Sequence, residues 1–419
     1  MIQNFLLYSF PKHLIYLIPV FLITGPFLSD LAVTIVSIIF IIIIFNEKNF
    51  EVFKNKFFYI FIIFYFYINI NSIFQNQNLD SIRISITFIR FGLFCLAFIY
   101  FLEKDITLLK KIFYCLLFVF TILVCDGFLQ YFTGKNIFGW KLIYPGPRVS
   151  SLFGEELILG SFVTRMYPLL IGLLFFFNFS KNKKLLFSLF TFAILFLVLI
   201  SGERTAFFLM IILFILMFFL IYKNKKFIRN IFLVVLTLSI LILSLSGSIK
   251  KRIIDVTIEQ MLTPNSDKKI YILSKQHDEH YTSAIRMFKN YPIFGVGVKN
   301  FRIFCKKEEF YISDYTCSPH PHSTYIQLLS ETGLIGFLIV SSIFIFINFR
   351  LFLHLKGNYK NNPLYSDLQI CLLISVYLTL WPIVPSGNFF NNWLSVVYFY
   401  PVGILLWSLK HKNKLINFS

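Results

Sequence analysis

Apolar runs long enough to cross a bilayer recur along the chain, near 14–28, 31–45, 57–74, 82–102, 112–130, 157–177, 184–200, 205–222, 231–248, 324–349, 368–385 and 392–409. A membrane-crossing helix needs about 20 predominantly apolar residues. The pattern predicts an all-α polytopic membrane protein of about twelve transmembrane helices. It breaks once, for a long polar segment between the ninth and tenth spans. The chain therefore divides into an N-terminal bundle of about nine spans (1–248), a loop with short helices (249–323) and about three C-terminal spans (324–419). Within the loop, residues 281–290 have helical periodicity, and Pro292 ends it. Gly295-Val296-Gly297 then makes a tight turn. It lacks the third glycine and the strand context of a dinucleotide-binding loop.

Charge orients this bundle. Basic residues fill alternate turns: Lys48, Lys54 and Lys56; Lys104, Lys110 and Lys111; Lys181, Lys183 and Lys184; Lys223, Lys225, Lys226 and Arg229; Arg350, Lys356 and Lys360; Lys410, Lys412 and Lys414. The opposite turns, such as 25–30, 75–78 and 385–388, carry none. Positive charge marks the cytoplasmic side, so both termini are expected there and the long loop outside. A net charge of +19 would suggest a nucleic-acid partner in a soluble domain, but here the charge follows topology. Only 14% of residues are charged and 57% are hydrophobic, against about 25% charged in soluble domains. The N-terminus shows no small-residue cleavage site, so it reads as a first span, not a removed signal peptide. Cys95, Cys115, Cys125 and Cys371 fall in apolar spans, while Cys305 and Cys317 share the loop, where an oxidising compartment permits a disulfide.

Charged residues inside or at the rims of the spans change the picture next. Arg83 and Arg90 lie seven apart on the fourth span; Asp126, Arg165 and Arg204 follow on later ones. Such groups face protein, water or ligand, never lipid. Some could form structural ion pairs with Asp126 or Glu203. The arginines nevertheless outnumber the acids, which points to an outward-facing cationic cavity for a polyanion. Guanidinium forks suit phosphate oxygens, and a lipid diphosphate would sit at that depth. No Asp-x-Asp motif is present to hold a nucleotide–metal pair.

The loop returns to the membrane through His320-Pro321-His322. Ser323, Gln327 and Glu331 follow at helical spacing and share one face, a candidate wall of an acceptor site. His277, His280, His320 and His322 could be surface residues, a metal set or a source of a general base. No cysteine or carboxylate completes a metal pattern, so no metal and no cofactor are expected. An imidazole titrates near neutrality and can take a proton from an attacking hydroxyl.

These residues resemble the O-antigen ligase / O-antigen polymerase family of bacterial envelope glycosyltransferases. The family's histidine, followed by a polar residue, nine residues and Gly-x-x-Gly, is matched by His322-Ser323, residues 324–332 and Gly333-Leu334-Ile335-Gly336. Ser201-Gly202-Glu203-Arg204-Thr205 is similar to its arginine segment, Ala284-Ile285-Arg286-Met287-Phe288 with residues 292–297 to its loop before the histidine, and residues 148–154 to its approach to the sixth span. The resemblance implies an inner-membrane enzyme with a periplasmic site. It implies inverting, metal-independent transfer of a glycan from undecaprenyl diphosphate to a hydroxyl, on lipid A–core in a ligase or on a growing chain in a polymerase. It gives His322 the role of base or acceptor-orienting group, with His320 as a neighbour, and Arg204 a role in binding the diphosphate. Arg286 or Arg302 would be the loop arginine, with Arg148 and Arg90 as further donor candidates. A transporter or flippase of a lipid-linked saccharide is the rival that a cationic membrane cavity alone would equally suit.

Overall fold

The computed structural model describes residues 5–75, 78–143, 148–262, 271 and 273–411. Lys412 and Lys414 of the last basic segment, and Asn76 and Gln77 of an uncharged turn, lie outside the described residues. The described chain is helical, with only two isolated bridges, Lys135–Lys141 and Ile143–Arg148. Every apolar run contains a helix. In order these are α1 (Phe10–Thr24), α2 (Pro26–Glu47), α3 (Lys56–Gln75), the consecutive α4 (Leu79–Thr87) and α5 (Ile89–Lys104), α6 (Thr107–Thr133), α7 (Leu159–Phe176), α8 (Lys181–Ile200), α9 (Arg204–Leu220) and α10 (Lys225–Leu245). After α11 of the loop (Lys275–Asn290) come α12 (Thr324–Tyr359), α13 (Asp367–Thr379) and α14 (Asn392–Lys410). Among the described residues nine helices are long and apolar enough to cross a membrane, and the apolar α9 and α13 are shorter.

The bundle's core forms where α13 packs on α7, α14 on α5, and α1 on α2 and α6. One end is laced by charge. Lys12 pairs with Asp105 at 2.9 Å, Lys104 with Glu47 at 3.4 Å and Lys410 with Glu103 at 2.5 Å. At the other end Arg90 donates through Nε and Nη2 to Asp30 (3.0 and 2.8 Å), and Asn392 Nδ2 reaches the second Asp30 oxygen. The long loop sits at this second end and has its own apolar core of Ala284, Met287, Val296, Phe301, Phe304 and Phe310. A disulfide joins Cys305 to Cys317, with Cα atoms 5.4 Å apart.

Helix α12 governs how that loop meets the bundle. Its 36 residues would span about 54 Å, well beyond a hydrocarbon core of about 30 Å. The helix breaks at Gly333, whose φ of 62° and ψ of −165° are non-helical. The break exposes backbone groups that must find partners. The turn after Pro292 supplies them. Val296 N–H donates to Ser330 O (2.8 Å), Gly297 N–H to Glu331 O (2.9 Å), and Leu334 N–H to Pro292 O (2.8 Å). Tyr67 of α3 donates its hydroxyl to Thr332 O at 2.5 Å. Two backbones touch here, and both contacts require glycine. A Cβ on Gly295 would stand 2.6 Å from the Gly333 nitrogen, and one on Gly333 would collide with the Ile293 carbonyl.

Gly333→Ala combines a left-handed backbone with a backbone clash and should cost at least about 2 kcal/mol. A thermal-shift measurement on the detergent-solubilised protein should show a drop of several degrees; an unchanged melting temperature would contradict this account of the break.

Candidate functional site

A cavity of about 1280 Å³ opens at the loop end of the bundle, between α1, α7, α9, α14 and the loop. Its wall is two-natured. Leu22, Phe162, Phe207, Ile211, Leu394 and Val397 make an apolar side. Among the described residues the cationic lining consists of Arg148, Arg165, Arg204, Arg252, Lys299 and Arg302, against the carboxylates Glu155, Glu156 and Glu203.

The arginines converge on the turn between α8 and α9. Arg148 Nε–H donates to Ser201 O and Arg252 Nε–H to Gly202 O, both at 3.3 Å. Gly202 has φ +64°, and a Cβ there would lie 3.0 Å from Arg148 Cγ and 3.4 Å from Arg252 Cγ. Glycine thus lets two arginines flank one turn. Glu203 does not neutralise them by contact, because Gly160 N–H (2.6 Å) and Ser161 N–H (3.0 Å) at the start of α7 occupy its carboxylate. Arg204 donates Nη1–H to Thr257 Oγ1 (3.0 Å) and Nη2–H to Gln260 Oε1 (2.7 Å). Uncharged acceptors orient this guanidinium without cancelling its charge. Burial, with Arg252 beside it, pushes Arg148 down to about 10, and burial lowers Arg252 as well. Deeper in the cavity, Arg165 is 4% exposed and, among the described residues, its Nε has no hydrogen-bond partner. An anion in the cavity would meet the guanidinium groups of Arg148, Arg204 and Arg252 in its wall.

Histidines form the facing wall. His277, His320 and His322 line the cavity, and His280 stacks on His322 with ring centroids 5.3 Å apart. The His320 and His322 rings are 4.1 Å apart, and those of His277 and His322 5.8 Å. His322 is held at φ 56°, unusual for a residue other than glycine, and its carbonyl accepts Ser386 N–H at 3.0 Å. His320 Nε2–H donates to Ser386 O at 3.1 Å. Burial pushes His322 down to about 3, with the three neighbouring imidazoles adding to the effect. Burial likewise holds His277 and His320 at about 4 and lowers His280. These imidazoles are neutral at physiological pH, so each has one nitrogen able to accept a proton. Among the described residues no group of three or more His, Cys, Asp or Glu has the arrangement to hold a metal ion.

The polar stripe of α12 has a different task from the one its spacing suggests. Gln327 and Glu331 are both 0% exposed and do not line the cavity. Glu331 accepts Lys299 N–H (2.9 Å), Phe301 N–H (3.3 Å) and Gln327 Nε2–H (2.9 Å). Gln327 also donates to Asn388 Oδ1 (3.0 Å) and accepts Phe389 N–H (2.9 Å). Ser323 is buried at the N-terminus of α12. The expected acceptor wall is therefore an internal strut that clamps the histidine stretch between two loops. Arg90 is also removed from the donor group, because its charge is taken up by Asp30 away from the cavity. Arg286 is exposed and reaches Tyr311 O, whereas Arg302 lines the cavity and donates to Pro319 O at 3.3 Å. Asp126 serves the segment that follows α6, accepting Ser151 Oγ–H (2.6 Å) and Ile137 N–H (2.9 Å). Arg252, Arg165, Lys299 and His277 join the cavity without having been singled out as donor ligands. For His277 the available signal was its i, i+3 spacing with His280 on an amphipathic helix; Arg252 lies in a run of basic residues that looks like any solvated connector.

Because these imidazoles are held below the ordinary value of 6.5, the unfolded chain binds protons between pH 6.5 and about 3 that the folded chain does not. Stability is fully present above pH 6.5 and declines as pH falls through that window. Melting temperature should drop from pH 7 to pH 5, and less steeply in His320→Gln, which keeps a donor for Ser386. Parallel slopes in the two proteins would contradict the neutral cluster.

Residues 187–341 match the family model described as O-antigen ligase. The matched segment runs from α8 through the arginine turn and the loop into α12, and so contains Arg204, Arg252, His277, Arg302, His322 and Gly333. A comparison with curated proteins finds no match. In residues 187–341, this chain carries a domain of the O-antigen ligase family.

Proposed function

We propose that the chain is a membrane glycosyltransferase that moves a glycan from undecaprenyl diphosphate to a hydroxyl acceptor. In this reading twelve spans cross the bacterial inner membrane, both termini are cytoplasmic and the cavity opens to the periplasm. The acceptor is lipid A–core if the protein is a ligase, or the terminal sugar of a growing chain if it is a polymerase. The observation that carries the reading is one cavity in which arginines that form no salt bridge among the described residues share apolar walls with a neutral histidine cluster. Cations suit a diphosphate, apolar walls suit the lipid, and a base serves transfer where transport would need none.

In the proposed step His322 takes the proton of the acceptor hydroxyl. The hydroxyl oxygen forms the new bond to the sugar's anomeric carbon from the face opposite the diphosphate, which inverts the configuration. The old carbon–oxygen bond breaks and its electron pair stays on the diphosphate. Arg148, Arg204 and Arg252 stabilise that developing charge in a partly dry site. No metal has a task in this scheme. Ordered hydrogen bonds to Thr257 and Gln260 make Arg204 the best oriented of the three.

General bases contribute about 10²–10⁴ in rate, so His322→Ala should lower transfer in isolated membranes by at least about 100-fold while the protein stays in the membrane. Full activity in that variant would refute the assignment. Arg204→Lys keeps the charge but loses the planar fork and should recover little of the activity lost in Arg204→Ala; recovery to the wild-type rate would remove the fork from the account. With His322 pushed down to about 3 in the free protein, kcat/KM should stay flat from pH 7 to pH 5, since the basic form persists as pH falls. An acid limb near 6.5 would mean an ordinary, solvated imidazole does the work.

A further inference from the structure

His277 has features that the proposed step does not use. It lies in the first turn of α11, whose N-cap is Ser274. The Ser274 hydroxyl accepts His277's own backbone N–H at 3.3 Å and lies 2.7 Å from its ring Nδ1. One ring nitrogen is thereby engaged by the protein and the ring is pinned. Among the described residues Nε2 has no hydrogen-bond partner and is not fully buried. The ring itself lines the cavity. It feels the charge of Arg204, and its centroid is 5.8 Å from that of His322. His277 is therefore in reach of both halves of the site, the cations and the base.

We propose that His277 is a ligand of the donor, giving its Nε2–H to an oxygen of the phosphate that carries the transferred sugar. This rests on the reading of the cavity as a diphosphate site. A serine hydroxyl can donate to Nδ1 or accept from it, so the ring can adopt either tautomer. An anion in the cavity selects the one that presents Nε2–H, with Ser274 donating to Nδ1. Burial keeps the imidazole uncharged in the absence of ligand, so the protein gains a directed donor without a further cation beside Arg148, Arg204 and Arg252. Proximity to His322 assigns it the sugar-bearing phosphate, since His322 must work next to the anomeric carbon. During transfer the hydrogen bond to the departing phosphate strengthens, and no proton need leave His277; the acceptor's proton goes to His322. Ser274 acts as a positioning residue.

Inorganic pyrophosphate is the probe. Its binding to the full-length, detergent-solubilised chain can be measured by isothermal titration calorimetry in EDTA at pH 7.5. A hydrogen bond to a charged group of this kind corresponds to about tenfold in affinity or more. His277→Leu should weaken binding by about that factor. His277→Gln, whose amide can bring an N–H to the Nε2 position, should stay within about threefold of wild type. His277→Asn, whose shorter amide cannot reach, should bind as weakly as the leucine variant. The Gln and Asn variants keep the test decisive if the leucine protein fails to fold. Leucine or asparagine variants that bind as tightly as wild type, while Arg204→Ala loses binding, would overturn the assignment of His277 alone. Unchanged binding in Arg204→Ala would overturn the diphosphate reading of the cavity, and the role of His277 with it.

Discussion

The site depends on a helix that stops being a helix. At Gly333 the backbone of α12 leaves helical geometry, and the groups it frees are taken by the turn after Pro292 and by Tyr67. This interlock joins the polar loop to the bundle through main-chain bonds, which are short and directional. Eleven residues earlier along the same segment stands His322. Glu331, inside the interlock, holds the amides of Lys299 and Phe301 and through Gln327 reaches the loop before α14. A buried carboxylate so fully engaged fixes the loop's distance from the membrane end of the bundle. The His–x₁₀–Gly-x-x-Gly spacing thus has a mechanical meaning: it sets the span between the histidine and the anchor of its loop.

The second constraint is electrostatic. Cations in a partly apolar cavity are costly unless something matches them. Here the nearest carboxylate, Glu203, is held by the start of α7, and Arg204 is oriented by a threonine hydroxyl and a glutamine carbonyl. Gly202 allows Arg148 and Arg252 to flank one turn. The protein thereby maintains an arrangement that an anion would relieve. The facing imidazoles are kept neutral by burial, so they add hydrogen-bonding capacity without adding charge. In the proposed reading, binding a polyanion would ease the repulsion among the arginines and raise the proton affinity of the histidines, coupling donor arrival to the strength of the proposed base.

The membrane helices were legible because a bilayer imposes length and apolarity on each crossing, and both survive in linear sequence. The histidine and glycine spacing was legible because a local break in a helix needs local residues. What failed to show was which partner each polar group would meet. Ser323, Gln327 and Glu331 do share a face, as i, i+4 spacing requires. Yet the face turns inward, toward loops about 30 and 60 residues away in sequence, and spacing on one helix cannot reveal that. Arg90 looked like an unmatched charge because its partner, Asp30, lies on another span. Arg252 shows the converse: it sits in an unremarkable basic stretch and gains meaning only from what the fold brings beside it.

The central claim is that the arginine turn and the histidine wall enclose a lipid diphosphate. A cryo-EM structure of the full-length chain with undecaprenyl diphosphate tests it most directly. The account predicts density for two phosphates within hydrogen-bonding distance of Arg148, Arg204 and Arg252, on the side of the cavity facing His322, with the lipid along the apolar wall. Diphosphate density away from this cavity, or a cavity occupied only by the lipid tail, would contradict it.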